Sequence, residues 1–144
     1  MLAYSERREK VTWIMTLEYL VPDIRPPYGN YHHGVVVPSN ARWLFTSGQL
    51  GVSKEDAIPS SVLAQTEQCF LNIKEILFAA GMEFCDVVRI NAYVTDRKFF
   101  SDYMSVRDRF IAQSAPASTL MVVAGFTREE MKVEVEITAA RAIS

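Results

Sequence analysis

The residues that could do chemistry in this chain are few and mostly acidic. The segment KVEVEI carries Glu134 and Glu136 two residues apart, so a strand there shows both carboxylates on one face. By pattern alone, such residues are solvated outward carboxylates. His32 and His33 are adjacent, with no cysteine or third histidine to join them, so neither a metal nor a cofactor is expected. Cys69 falls inside a helical pattern and reads as a buried core thiol, and Cys85 has no neighbouring base to activate it. The stretch PASTLMVVAG, from Pro116 to Gly125, offers the hydroxyls of Ser118 and Thr119 ahead of an apolar run and contains no Arg, Lys, His or Cys. On its own, Ser118 reads as satisfying backbone groups at a strand start, and Ser47 in TSGQ as shaping a turn. Arg89 on an outward strand face and Arg42 in a turn are the cations that could meet an anion, although residues so placed are usually just solvated.

Composition narrows the partners. Fifteen basic against seventeen acidic residues leave a formal charge of -2, without the basic excess of proteins that grip many phosphates. At 144 residues and 49% hydrophobic content the chain suits one compact domain. Two cysteines cannot form the disulfide framework of a small secreted fold, so a reducing cytoplasm is expected. The opening MLAYSERREKVTWIM puts Glu6, Arg7, Arg8, Glu9 and Lys10 before any apolar run and does not read as a signal peptide. Residues 1–15 are expected to be a disordered N-terminal extension, with Met15 an alternative start, and 16–144 a single domain. No window reaches the roughly 18 uninterrupted apolar residues of a membrane helix.

The elements that must carry these side chains follow from periodicity. Leu17, Tyr19 and Val21 alternate with their neighbours as in an edge strand, and Pro22, Pro26, Pro27, Gly29 and Asn30 then mark a loop. GVVV and WLFTSGQLGV read as two strands joined by PSNAR. Val62, Thr66, Cys69, Phe70, Ile73, Ile76, Leu77 and Ala80 recur at three and four residues, capped by Ser60 or Ser61 and stopped by Gly81. VVRINAYVT is a strand with Val88, Ile90, Ala92 and Val94 on one face. Phe99, Tyr103, Val106 and Phe110 mark a second helix ending before Pro116. Ser118 to Ala124 makes a strand, GFTREEM a turn, and KVEVEITAAR a last strand with Val133, Val135, Ile137 and Ala139 inward.

The order is β-β-β-α-β-α-β-β, an α+β sandwich with both helices on one face of a mixed sheet. The other face would hold Tyr93, Thr119, Met121 and Val123 with few charges among them. A half-apolar face of that kind predicts self-association, with a small-molecule cleft between subunits.

YHHGVVV, LFTSGQLG, ILFAAGMEFCDVVRINAYVTD, PASTLMVV and KVEVEITAAR together resemble, in order and spacing, the RidA/YjgF (L-PSP) family from about Gly29 to Arg141. That resemblance implies a chorismate-mutase-like fold, a homotrimeric barrel and clefts between adjacent subunits. Family members that hydrolyse enamines and imines such as 2-aminoacrylate pair the substrate carboxylate with an arginine in a PAR motif. Here the motif reads Pro116, Ala117, Ser118, and the family cysteine two positions on is Leu120. Losing the arginine removes about 2–5 kcal/mol of carboxylate pairing, so 2-aminoacrylate itself is expected to be a poor substrate.

The resemblance places the acid at Glu134, after a turn one residue longer than in the best-known members, with Glu136 as the fallback. It matches Tyr31 to the family tyrosine, and Ser47 with Gly48 to the SGQ turn that positions substrate or water. The site expected from it therefore has Glu134 and Tyr31 as catalytic residues, with Ser47, Gly48, Ser118, Leu120 and His33 binding substrate. The function it implies is hydrolysis of a small reactive enamine or imine other than 2-aminoacrylate, releasing ammonia and a carbonyl product. The alternative is a non-catalytic ligand-binding or regulatory trimer. RNA cleavage ranks last, for want of any basic stripe, and no nucleic acid or membrane partner is expected.

Overall fold

The computed structural model describes residues 16–143, so the expectation for 1–15 lies outside the described residues. Strands β1 (Glu18–Leu20) and β2 (Gly34–Val36) pair antiparallel as a small separate ribbon. A larger mixed sheet follows, formed by β3 (Ala41–Phe45), β4 (Gln49–Leu50), β5 (Val87–Val94), β6 (Ala117–Val122) and β7 (Val133–Ala142). Its order is β3-β7-β5-β6, with β4 also on β7, and only β5 and β6 run parallel. Helices α1 (Val62–Ala79) and α2 (Phe100–Ile111) pack together on one face of it.

The core is the layer between helices and sheet. Ile90, Ala92 and Val94 of β5 and Val133, Val135, Ile137 and Ala139 of β7 point into it and are buried, as their alternation predicts. They meet Val62, Cys69, Phe70, Ile73 and Leu77 from α1, and Tyr103, Val106 and Ile111 from α2. Ser61 caps α1 by accepting from Ala64 N at 3.1 Å, and Gly81 ends it at φ 70°, where a glycine suffers no Cβ clash. Among the described residues, no helix is long and apolar enough to cross a membrane.

WLFTSGQLGV, read from sequence as one strand, is broken into β3 and β4. Phe45 pairs with Thr138 and Gln49 with Val135, so four steps along one strand oppose three on β7. One extra residue must bulge out, as it does next to many active sites. Thr46 manages the irregularity: its N donates to Ile137 O at 3.1 Å while its hydroxyl accepts from Ile137 N at 3.0 Å. Ser47 and Gly48 then turn over the neighbouring strand.

Gln65, a polar residue on the buried face of α1, fixes the start of β7. Its amide nitrogen donates to Pro59 O at 2.8 Å and Glu130 O at 2.9 Å, and its oxygen accepts from Lys132 N at 2.8 Å. The longer turn before β7 is thus pinned two residues ahead of Glu134.

Candidate functional site

The open face of the sheet carries the acid. Glu134 lies opposite Tyr93 on one side and Leu50 on the other, and its carboxyl rests against Gly48. A Cβ at position 48 would stand 2.0 Å from Glu134 Oε1, so only glycine leaves the carboxylate where it is. Burial, and then the charge of Glu136, raise the pKa of Glu134 above the usual carboxylate value. Glu136 is differently placed. Its Oε1 accepts from Tyr93 Oη at 2.8 Å and from Asn91 Nδ2 at 3.3 Å. The two carboxyl groups on one strand face thus differ in their partners: Glu136 is held by two donors, and Glu134 rests against Gly48.

Tyr31 occupies a different place. Its ring stands edge-on to His33, centroids 6.2 Å apart, and its hydroxyl accepts from Tyr28 N at 3.1 Å. His33 Nε2 donates to Arg25 O at 2.8 Å. His32 ties the loop to the start of β6, donating from N and Nδ1 to Ala115 O at 2.9 and 2.6 Å, and so braces Ala115 in a left-handed conformation at φ 43°. Between the loop and β1 lies a cavity of about 320 Å³, whose lining includes Leu20, Ile24, Pro26, Pro27, Gly29 and Tyr31 together with both histidines and Ala115.

Within one chain these are two half-sites. Tyr31 and His33 come together, and so do Glu134, Gly48 and the adjoining Ser47, but the two groups do not meet. Ala117, beside the Tyr31 loop, aligns with Arg89 of β5, whereas Glu134 aligns with Tyr93, four residues further along. That is roughly 13 Å along the strands and ~10 Å across two of them. Ser118 and Leu120 join neither Glu134 nor the open face. They pair with Ile90 and Ala92 on the helix side of the sheet, where Leu120 packs on the core, while Thr119 faces outward and accepts from Arg89 Nη2 at 2.9 Å. Ser118 nevertheless lies at the Tyr31 end of β6. Of the two cations weighed from sequence, Arg89 is spent on Thr119 and Arg42 reaches only Ala80 O, at 3.4 Å.

Sequence reasoning passed over Arg107, which is 3% exposed, and, although it named Tyr93 and Glu136, the hydrogen bonds that join Tyr93 and Asn91 to Glu136. The signal for Arg107 was its place one turn from Tyr103 and one from Ile111, on the apolar side of α2.

Residues 23–141 match the model of the family described as Endoribonuclease L-PSP. The chain belongs to this family, the RidA/YjgF proteins. It is 32% identical over 115 residues to a goat 2-iminobutanoate/2-iminopropanoate deaminase, covering 78% of this chain and 81% of the relative. With the Escherichia coli K12 protein of the same name it is 31% identical over 117 residues, covering 78% and 88%. The solved structure of a Rid-family protein from Yersinia pestis superposes with a TM-score of 0.77 at 26% identity, covering 85% of this chain and 97% of that one. The E. coli TdcF structure with bound serine gives 0.67 at 28% identity, covering 84% and 93%. The RidA-like fold expected from the sequence is therefore the fold observed.

Proposed function

We propose that this RidA-family chain is a hydrolytic deaminase acting on a small enamine or imine other than 2-aminoacrylate, and that it works as a homotrimer. The observation that carries the reading is Glu134: the acid at the family position, given room by Gly48 and biased toward its protonated form. An enamine takes a proton at carbon and an imine at nitrogen, and a carboxyl group poised toward neutrality can donate it. Glu134, then a carboxylate, can accept a proton from the water that adds to the C=N carbon. Collapse of the carbinolamine breaks the C–N bond, giving the carbonyl compound and ammonia; one water is consumed and nothing is oxidised or reduced.

The half-sites motivate the trimer. Tyr31, His33 and Ser118 lie at one end of a chain and Ser47, Gly48 and Glu134 at the other, so a cleft between two subunits would join them. Relatives named as deaminases of 2-imino acids support the reaction class. Serine at position 118 favours the second reading, a trimer that binds a ligand without turning it over.

The test is ammonia release from enamines and imines generated in situ, with and without a carboxylate. Release by the wild type that falls at least about a hundredfold in Glu134→Ala is expected. No Glu134-dependent release from any of them would leave the binding trimer.

A further inference from the structure

Arg107 is a buried cation with an unused donor. Its Nε donates to Asp108 Oδ1 at 3.0 Å. Its Nη2 stands 2.9 Å from the same oxygen but out of line for a hydrogen bond, and donates to nothing among the described residues. A guanidinium withdrawn from water with a donor unmet is costly, and such a group is usually kept for a partner. Nη2 approaches the point where a Cβ on Gly29 would be, 3.5 Å away, and the Tyr31 ring carbons Cδ1 and Cε1 lie 3.9 Å from that same point. The guanidinium thus neighbours Gly29 and Tyr31, two of the residues that line the cavity.

We propose that Arg107 is the anion-binding residue of this chain, receiving the substrate carboxylate beside Tyr31 in place of an arginine at position 118. A planar guanidinium can offer a carboxylate two parallel N–H groups once it gives up its crowded contact with Asp108. The cavity beside it has a hydrocarbon wall of Leu20, Ile24, Pro26 and Pro27. Together these select a 2-imino acid with a hydrocarbon tail larger than a methyl group. The choice of an imine rests on the deaminase reading above; the anion site does not.

Calorimetry of the intact protein with a product-like 2-oxo acid, 4-methyl-2-oxopentanoate, and with its neutral counterpart 4-methyl-2-pentanone tests the assignment. The oxo acid should bind tighter than both pyruvate and the ketone. Arg107→Met should weaken the oxo acid about tenfold or more and leave the ketone unchanged. Asp108 is on the surface, so Asp108→Asn should fold whatever becomes of Arg107→Met, and it should bind the oxo acid severalfold tighter because the internal competitor is gone. Unchanged affinity in a folded Arg107→Met protein overturns the proposal, as does unchanged affinity in Asp108→Asn or a wild type that does not prefer the oxo acid. Arg107-dependent binding without Glu134-dependent ammonia release would overturn the deaminase reading alone; the reverse would overturn the anion site alone.

Discussion

Glu134 differs from Glu136 in its surroundings, not in its chemistry. Burial and the neighbouring charge of Glu136 raise its pKa, while Glu136 itself accepts hydrogen bonds from Tyr93 and Asn91. Donation by Glu134 requires its acid form, so kcat/KM should fall as pH rises through the raised pKa. Glu136→Gln removes the adjacent charge and should move that limb of the pH profile to lower pH; an unmoved limb would deny Glu136 this influence. The stability consequence has a definite sign. A carboxyl whose pKa is raised by folding stabilises the native state below the unfolded value and loses that contribution as pH rises through the folded one. Glu134→Gln should therefore abolish turnover yet raise Tm at pH 7, by about a degree for a half-buried group. Calorimetric scans at pH 4 and pH 7 should show the gain only at the higher pH.

At the scale of elements, two glycines with close contacts have opposite meanings. At Gly48 a Cβ would strike the end of the Glu134 side chain, whereas at Gly51 it would stand 2.6 Å from the Gln65 carbonyl oxygen, in the backbone of α1. Gly48→Ala should fold normally and lose about tenfold or more in kcat/KM by displacing the carboxyl. Gly51→Ala should lose about 1–3 kcal/mol of stability, read by urea denaturation. Gln65→Leu should cost roughly 2–4 kcal/mol, since it leaves Pro59 O, Glu130 O and Lys132 N without their partner.

The same elements show what was legible in the sequence. KVEVEITAAR and the face of α1 announce themselves because each inward residue repeats with the period of its backbone. The split of WLFTSGQLGV does not, because the extra residue is defined only by the strand across from it. Gln65 and Arg107 were missed for a related reason: polarity suggests an outward position, and only tertiary partners show these two pointing inward. Of the expected site, the Glu134 and Gly48 contact was foreseeable from the family motif. The separation of Tyr31 from Glu134 within a chain was not, since it depends on the register of three strands.

At the scale of the molecule, the sheet's open face is unusually apolar for a surface. Trp43 and Phe45, exposed by 51% and 72%, stack on each other with centroids 6.1 Å apart, and Met121 is 53% exposed on β6. Tyr93 and Thr119 share that face, as their alternation predicts, while Val123 falls just past the end of β6. Such a patch calls for a partner, and a second copy of the chain would both cover it and unite the half-sites. Light scattering should give the mass of a trimer, and Trp43→Arg with Phe45→Glu should dissociate it and lower activity with it. The most direct test of the shared site is complementation between Tyr31→Ala and Glu134→Ala, each inactive alone, coexpressed with different tags and purified as mixed oligomers. The account predicts recovery to about a third of wild-type activity, because every mixed trimer, whichever parent supplies two subunits, has one intact site among its three. Mixed oligomers as inactive as their parents would contradict it.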